Sequence, residues 1–194
     1  MMKGTNTQVN QILHKIPTNS IGAEIGIWKG ATSRKFLGKN LSHFHMVDPY
    51  SMGVKSERTL DQKLDRYKDI VGSKNPEDFQ EYYDRLYLEI EKEFGSKNNV
   101  TVHRSYSKEF FDSIEDNYLD WIYIDGDHTY EGCLFDLQMS LKKVKSGGSI
   151  FGDDYRNQGG GGKAGVIKAV PEFASKQNLK LIPYGLTQFE FKVP

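Results

Sequence analysis

Two apolar runs in this chain end in paired aspartates. WIYI leads into Asp125 and Asp127, and SIFG leads into Asp153 and Asp154. A strand carries carboxylates cheaply only at its C-terminal end, where the chain leaves the core, and in open α/β sheets those ends are where ligands bind. The four aspartates are therefore expected together at one rim of a sheet. Carboxylates crowded there repel one another until protonation, a basic partner or a bound cation relieves them. No Cys or His cluster accompanies them in the sequence. Oxygen-only ligands select a hard ion, Mg²⁺ first, with Mn²⁺ or Ca²⁺ as alternatives, rather than zinc.

The surrounding pattern supports such a sheet. Strands are predicted at Gly22 to Ile27, His43 to Val47, Val100 to Arg104, Leu119 to Asp125 and Ser149 to Gly152. Helical periodicity separates them at Ala31 to Leu41, Lys108 to Glu115 and Tyr130 to Val144, and a further helix covers Ala164 to Lys176. Alternating strands and helices imply a parallel sheet covered on both faces. Leu179 to Tyr184 and Gln188 to Val193 are separated only by a short turn at Gly185. That connection permits only an antiparallel hairpin, because a parallel crossover needs a dozen or more residues.

At 194 residues the chain is read as one domain, residues 1–194. A short N-terminal helix is expected at about residues 7–16, with Val9, Ile12, Leu13 and Ile16 on one face and Pro17 ending it. Residues 51–99 form a connection far longer than usual, with two helical patterns. One is the crossover and the surplus an insertion, the second helix starting with Asn75 as N-cap and Pro76 at N1. Tyr82, Tyr83 and Tyr87 there either line a substrate pocket or pack the insertion onto the domain, and packing is the ordinary role of such faces. The glycine-rich stretch 156–163 reads equally as a lid over the site or as a slack surface loop.

Lys plus Arg and Asp plus Glu are 26 each, so the formal charge is zero and no nucleic-acid partner is expected. The single cysteine, Cys133, falls in an apolar helical pattern and reads as a buried thiol in a reducing compartment. No stretch has the length of a membrane span and the N-terminus lacks a signal peptide's apolar run, so a cytoplasmic protein without a membrane partner is expected. A homo-oligomer is left open. His43, His45 and His103 lie in strand patterns and read as structural.

Gly26 and Gly30 sit where the first strand turns into the first helix, and Asp48 ends the second strand. That spacing suits a nucleotide-binding turn followed by an acid that accepts from both ribose hydroxyls. The glycine spacing is G-x-x-x-G, however, with Trp28 where a pyrophosphate site would need its second glycine, and no phosphate-cradling lysine loop is present. A cofactor with a ribose but no phosphate fits these preferences, with Glu24 repelling phosphate and attracting an ammonium group. S-adenosylmethionine meets all three conditions.

At these residues the chain resembles the class I S-adenosylmethionine-dependent methyltransferases. It resembles in particular the small metal-dependent O-methyltransferases that act on sugar hydroxyls of macrolide and aminocoumarin antibiotics. The resemblance runs from about Gly22 to Val193, carried by AEIGIWKG, MVDPY, YIDGDHTYEG and GDDY. It implies an α/β, three-layer Rossmann-like methyltransferase fold, a seven-stranded, mostly parallel sheet with an antiparallel C-terminal strand. It further implies a methionine-binding turn at Glu24, Gly26, Trp28 and Gly30, a ribose ligand at Asp48, and an adenine-flanking segment at Tyr106 and Ser107. Asp125, beside the cofactor, is implied as a metal ligand with Asp153 and Asp154.

Asp127 is the first candidate for the base that takes the proton of an acceptor hydroxyl, and His128 the second. The competing roles are a turn-forming side chain for Asp127 and a loop-orienting hydrogen bond for His128. The expected reaction is methyl transfer to a hydroxyl of a small-molecule or glycan acceptor whose identity the resemblance does not supply. A metal-independent methyltransferase, its acidic pairs positioning substrate, and a metal-dependent sugar-nucleotide transferase are the alternatives.

Overall fold

A computed structural model describes residues 9–51, 60–155 and 163–194. Seven strands form one sheet: β1 (Ile21–Ile25), β2 (His43–Val47), β3 (Val100–His103), β4 (Leu119–Ile124), β5 (Val144–Gly152), β6 (Ile182–Tyr184) and β7 (Gln188–Lys192). Their order across the sheet is β3-β2-β1-β4-β5-β7-β6. β1 to β5 are parallel, and β7 runs antiparallel to both β5 and β6. The predicted hairpin therefore closes the sheet and reverses only β7. The expected seven-stranded fold is the one observed.

Helices α1 (Asn10–Leu13), α2 (Ala31–Phe36), α3 (Leu60–Val71), α4 (Pro76–Phe94), α5 (Ser107–Ser113), α6 (Tyr130–Lys143) and α7 (Ala164–Gln177) cover the sheet. Strand alternation splits the core into two layers. Ile122, Ile124, Ile150 and Phe191 pack with Phe110, Leu137 and Phe173 on one face. Trp121, Tyr123, Phe151 and Phe44 pack with Phe36, Ile90 and Ile12 on the other. Tyr82, Tyr83 and Tyr87 pack against this second layer, as the ordinary reading of aromatic faces expects. Cys133 is buried and its thiol is pushed up to about 12 by that burial, which leaves it unreactive.

Several boundaries differ from expectation. Only one turn of the N-terminal helix forms among the described residues. α2 stops at Phe36, because Gly38 and Lys39 donate to the carbonyls of Lys35 and Phe36 and so tighten the chain into turns. β5 begins at Val144, five residues before Ser149, its early part carried by glycines that masked the strand pattern. In the long connection, Asn75 caps α4 by accepting from the Glu77 N–H at 3.1 Å, with Pro76 in the first helical position. The glycine-rich stretch lies largely outside the described residues.

The strand histidines form a network at β2 and β3. His45 Nδ1 lies 3.0 Å from His103 Nε2, and His45 Nε2 lies 3.3 Å from the Tyr118 hydroxyl. Burial, then the neighbouring His43 and His103, push His45 down to about 3. A histidine held neutral in the fold but titrating near 6.5 when unfolded favours the folded state fully above 6.5 and progressively less as pH falls toward 3. The slope reaches about 1.4 kcal/mol per pH unit for one proton. Thermal denaturation at pH 7 and pH 5 should show a drop in Tm for the wild type. His45→Leu should show a smaller drop over the same interval, whatever its starting Tm.

Candidate active site

The hydrogen-bond ladder continues one residue past the strands. Asp48 N–H donates to His103 O at 3.1 Å, Gly26 N–H to Val47 O at 2.8 Å, Asp125 N–H to Ile25 O at 2.8 Å and Asp153 N–H to Ile124 O at 3.1 Å. Asp48, Gly26, Asp125 and Asp153 thus stand in one row at the carboxyl ends of β2, β1, β4 and β5. The row crosses the point between β1 and β4 where strand order reverses, which is where open α/β sheets form a ligand crevice. Residues widely separated in sequence meet here because parallel strands bring equivalent ends together.

The turn after β1 is held in a left-handed conformation by its neighbours. Gly26 has φ +90 and Gly30 φ +69, and Trp28, in the position of a missing glycine, takes φ +47. Left-handed backbone costs a bulky residue about 1–2 kcal/mol, so it persists only where surroundings over-determine it. Here Asp48 Oδ2 accepts from the Ile27 and Trp28 N–H groups at 3.0 and 2.9 Å, and the Tyr50 hydroxyl donates to Trp28 O at 3.0 Å. Asp48 Oδ1 also accepts from Tyr50 N–H at 2.8 Å. Among the described non-glycine residues with positive φ, three are asparagines; the others are Trp28, Tyr50 and Asp154, in this turn or at the acidic rim.

Asp48 therefore does more than the sequence suggested. Three of the four acceptor sites of its carboxylate bind backbone N–H groups, leaving about one for a ribose hydroxyl rather than two. Burial raises its pKa, and the backbone hydrogen bonds oppose that rise. Asp48→Ala strands those donors. We expect it to weaken binding of S-adenosylhomocysteine about tenfold and to lower Tm, since the part-buried Ile27 and Tyr50 N–H groups lose their acceptor and an unmet buried donor costs about 1–3 kcal/mol. Calorimetric titration and thermal melting read the two effects.

Glu24 lies deeper than expected. It is 1 % exposed, and its carboxylate accepts from the Ser33 hydroxyl of α2. Burial raises its pKa well above the usual carboxylate value. An ammonium would have to reach the inner wall of the cleft to meet it, so its first role is to tie the turn to α2. Trp28 and Tyr106 are exposed at 42 % and 45 % and offer flat apolar faces. Ser107 opens α5 directly after Tyr106, which contributes no side-chain cap of its own.

The acidic rim is divided differently from the expected metal triad. Asp125, His128 and Asp154 each offer one ligand atom, all within 4.8 Å of one another. His128 Nε2 lies 3.2 Å from Asp125 Oδ1 and 3.1 Å from Asp154 Oδ2. Asp153 is engaged elsewhere: Oδ1 accepts from the Thr187 hydroxyl and the Asp154 N–H, and Oδ2 from the Tyr123 hydroxyl. Among the described residues, the side chains close enough to share a cation thus include His128 in place of Asp153. Its mixed nitrogen and oxygen donors also fit softer divalent ions than the oxygen-only set expected from sequence.

The two base candidates face different ways. Asp127 Oδ1 accepts from Thr129 N–H at 2.9 Å, and its other oxygen lies against Gly132 in the first turn of α6. It therefore fills the turn-forming role and faces α6, while His128 faces the two carboxylates. Burial raises Asp125 to about 7 despite the opposing His128 hydrogen bond, although 31 % of its side chain meets solvent in the cleft. His128 is itself raised from its ordinary value, its two carboxylate neighbours outweighing burial. Repulsion between the carboxylates is thus relieved by a basic partner that the local sequence already contained.

Tyr50, Tyr123 and Thr187 bond to Asp48, Trp28 and Asp153, and the sequence pattern did not single them out for it. The buried Tyr123 hydroxyl accepts from Gln188 Nε2 at 2.9 Å and donates to Asp153 at 3.2 Å. Nothing in the local pattern distinguishes it from a core aromatic. Tyr50 carried a signal in its position directly after Asp48-Pro49.

The profile of a methyltransferase domain matches residues 23–155. No curated protein matches the sequence. Among solved structures, the O-methyltransferase NovP is similar with a TM-score of 0.56 at 17% identity, over 96% of this chain and 76% of its own. The N-methyltransferase NodS from Bradyrhizobium japonicum WM9 gives 0.61 at 12% identity, over 97% and 94%. A putative methyltransferase from Streptococcus mutans, SMU.1697c, solved in complex with SAH, gives 0.60 at 11% identity, over 98% of each chain.

Proposed function

We propose that this chain, which belongs to the class I S-adenosylmethionine-dependent methyltransferases, transfers the cofactor's methyl group to a hydroxyl of a small acceptor such as a sugar. The observation that carries the hydroxyl reading is His128 Nε2, set between Asp125 Oδ1 and Asp154 Oδ2, with the Asp125 backbone lying against Gly26 of the turn after β1. A sugar hydroxyl is almost wholly protonated at neutral pH and attacks poorly until a base takes its proton. Nε2–H donates to the carboxylates, so Nδ1 of the neutral ring is that base, and Asp125 and Asp154 orient the ring and stabilise the imidazolium that forms. S-adenosylmethionine, when bound, would supply the methyl group and leave as S-adenosylhomocysteine.

The turn after β1 and Asp48 hold the methionine and ribose parts, with Trp28 and Tyr106 as apolar walls. Asp125, His128 and Asp154 are also the residues that would hold a divalent cation, and their atoms are close enough to share one. Such an ion, when bound, lowers the pKa of an acceptor hydroxyl. A cation on Nε2 would leave Nδ1 protonated and make His128 a ligand rather than the base, so the metal-assisted reaction is the second reading, and the metal-free one is favoured by His128 standing between the two carboxylates.

The test is calorimetric titration with S-adenosylhomocysteine, followed by a screen of sugars, glycosides and phenols for methyl transfer from S-adenosylmethionine, with Mg²⁺ or Mn²⁺ and with EDTA. Binding and turnover on a hydroxyl acceptor are expected. Turnover only on amines would refute the hydroxyl reading. Activity that survives EDTA favours the metal-free form, and activity restored by Mn²⁺ favours the cation.

A further inference from the structure

One buried acid has no part in the reaction described above. Asp136, in the second turn of α6, is 1 % exposed, and neither carboxyl oxygen makes a well-formed hydrogen bond. A buried carboxyl without partners costs on the order of 1–3 kcal/mol, and folds seldom leave one in place without use. Its surroundings suggest the use. Oδ2 lies 3.7 Å from where a Cβ on Gly126 would stand, directly behind the loop that follows β4. The side-chain donor that Asp136 feels is Ser107, at the start of α5, which pulls its pKa down against burial. Ser107 and Gly126 belong to the loops after β3 and β4, and Asp136 sits behind both.

We propose that Asp136 is a positioning residue for the adenosine half of the cofactor: from behind the cleft wall it sets the spacing between Ser107 and the Gly126 backbone. This rests on the reading of S-adenosylmethionine as the cofactor and of Tyr106-Ser107 as the adenine-flanking segment. Gly126 has no side chain with which to hold that spacing, and α5 has no side-chain cap from Tyr106. The long-range partner on α6 therefore supplies what the two loops lack. Asp136 touches neither substrate nor reacting atoms, so its removal should weaken cofactor binding and leave the chemical step alone.

The experiment compares wild type, Asp136→Ala, Asp136→Asn, Ser107→Ala and the Asp136→Ala/Ser107→Ala double variant. Each is titrated with S-adenosylhomocysteine and with 5′-methylthioadenosine, which keeps adenine and ribose but lacks the amino-acid group. Asp136→Ala should weaken both ligands by the same factor, about tenfold. Asp136→Asn, which keeps the shape and a polar group facing Ser107, should recover most of the affinity. The double variant should be no weaker than the weaker single. With an acceptor in hand, KM for S-adenosylmethionine should rise in Asp136→Ala while kcat stays within about twofold.

Loss confined to S-adenosylhomocysteine, an asparagine variant as weak as alanine, or wild-type affinity in Asp136→Ala would each overturn the proposal alone. A wild-type chain that binds neither ligand would overturn the cofactor reading and the proposal with it. If Asp136→Ala does not fold, Asp136→Asn and Ser107→Ala carry the test: Ser107→Ala must weaken both ligands equally and Asp136→Asn must not.

Discussion

Gly26→Ala is expected to abolish cofactor binding and to destabilise the fold. A Cβ at this position would stand 2.1 Å from Asp125 O, 2.5 Å from Asp125 C and 2.9 Å from Gly126 Cα. Every one of those atoms is backbone, so no side chain can swing away. The two strands cannot part either, because Gly26 N–H is bonded to Val47 O and Asp125 N–H to Ile25 O. The residue also sits at φ +90, left-handed backbone that strains a residue bearing a side chain. Overpacking against fixed backbone together with that strain costs on the order of 3 kcal/mol or more. For a domain of this size that lowers Tm by about 10 °C.

Gly72→Ala separates the two causes. Gly72 also has positive φ, at +83, but nothing lies within 4 Å of its Cβ position. It should lose a little stability and keep full affinity for S-adenosylhomocysteine. Calorimetry and thermal melting on both variants decide the matter, and wild-type affinity in Gly26→Ala would remove the turn after β1 from the cofactor site.

His128→Ala carries the second large effect. General-base catalysis contributes roughly 10²–10⁴-fold, so kcat should fall by that order while the Kd for S-adenosylhomocysteine stays near the wild-type value. The pH profile gives an independent check. A base works in its neutral form, so the rate rises with pH through the base's pKa. Because His128 is raised above the ordinary histidine value, that limb should lie above about 6.5. The limb should vanish in His128→Ala. Asp127→Asn, by contrast, should reduce kcat only slightly, since Asp127 serves the first turn of α6. A variant pair with the opposite ranking would restore Asp127 as the base.

Much of this architecture was legible before any coordinates. The alternation of apolar runs and helical periods announced a parallel sheet, and the brief turn at Gly185 required its final hairpin. Asp48, Asp125 and Asp153 could be placed at one rim because each follows a buried strand. The boundaries of α2 and β5 were less legible. Gly38 admits a tight turn that apolar spacing does not register, and Gly147-Gly148 break the alternation by which a strand is recognised.

What the sequence determined by itself is which residues share a rim, because strand direction and period follow from local pattern and equivalent ends of parallel strands must align. What only the tertiary structure decided is what each carboxylate faces. Asp153 meets Thr187 from the turn before β7, 34 residues on. Asp48 meets the N–H groups of Ile27 and Trp28 some 20 residues before it. A carboxylate's orientation, pKa and availability depend on such distant donors, and hydrogen-bond direction leaves no trace in periodicity. So the four aspartates could be gathered from sequence, while their separation into a His128-centred group, a turn former and an anchored support required the packed chain.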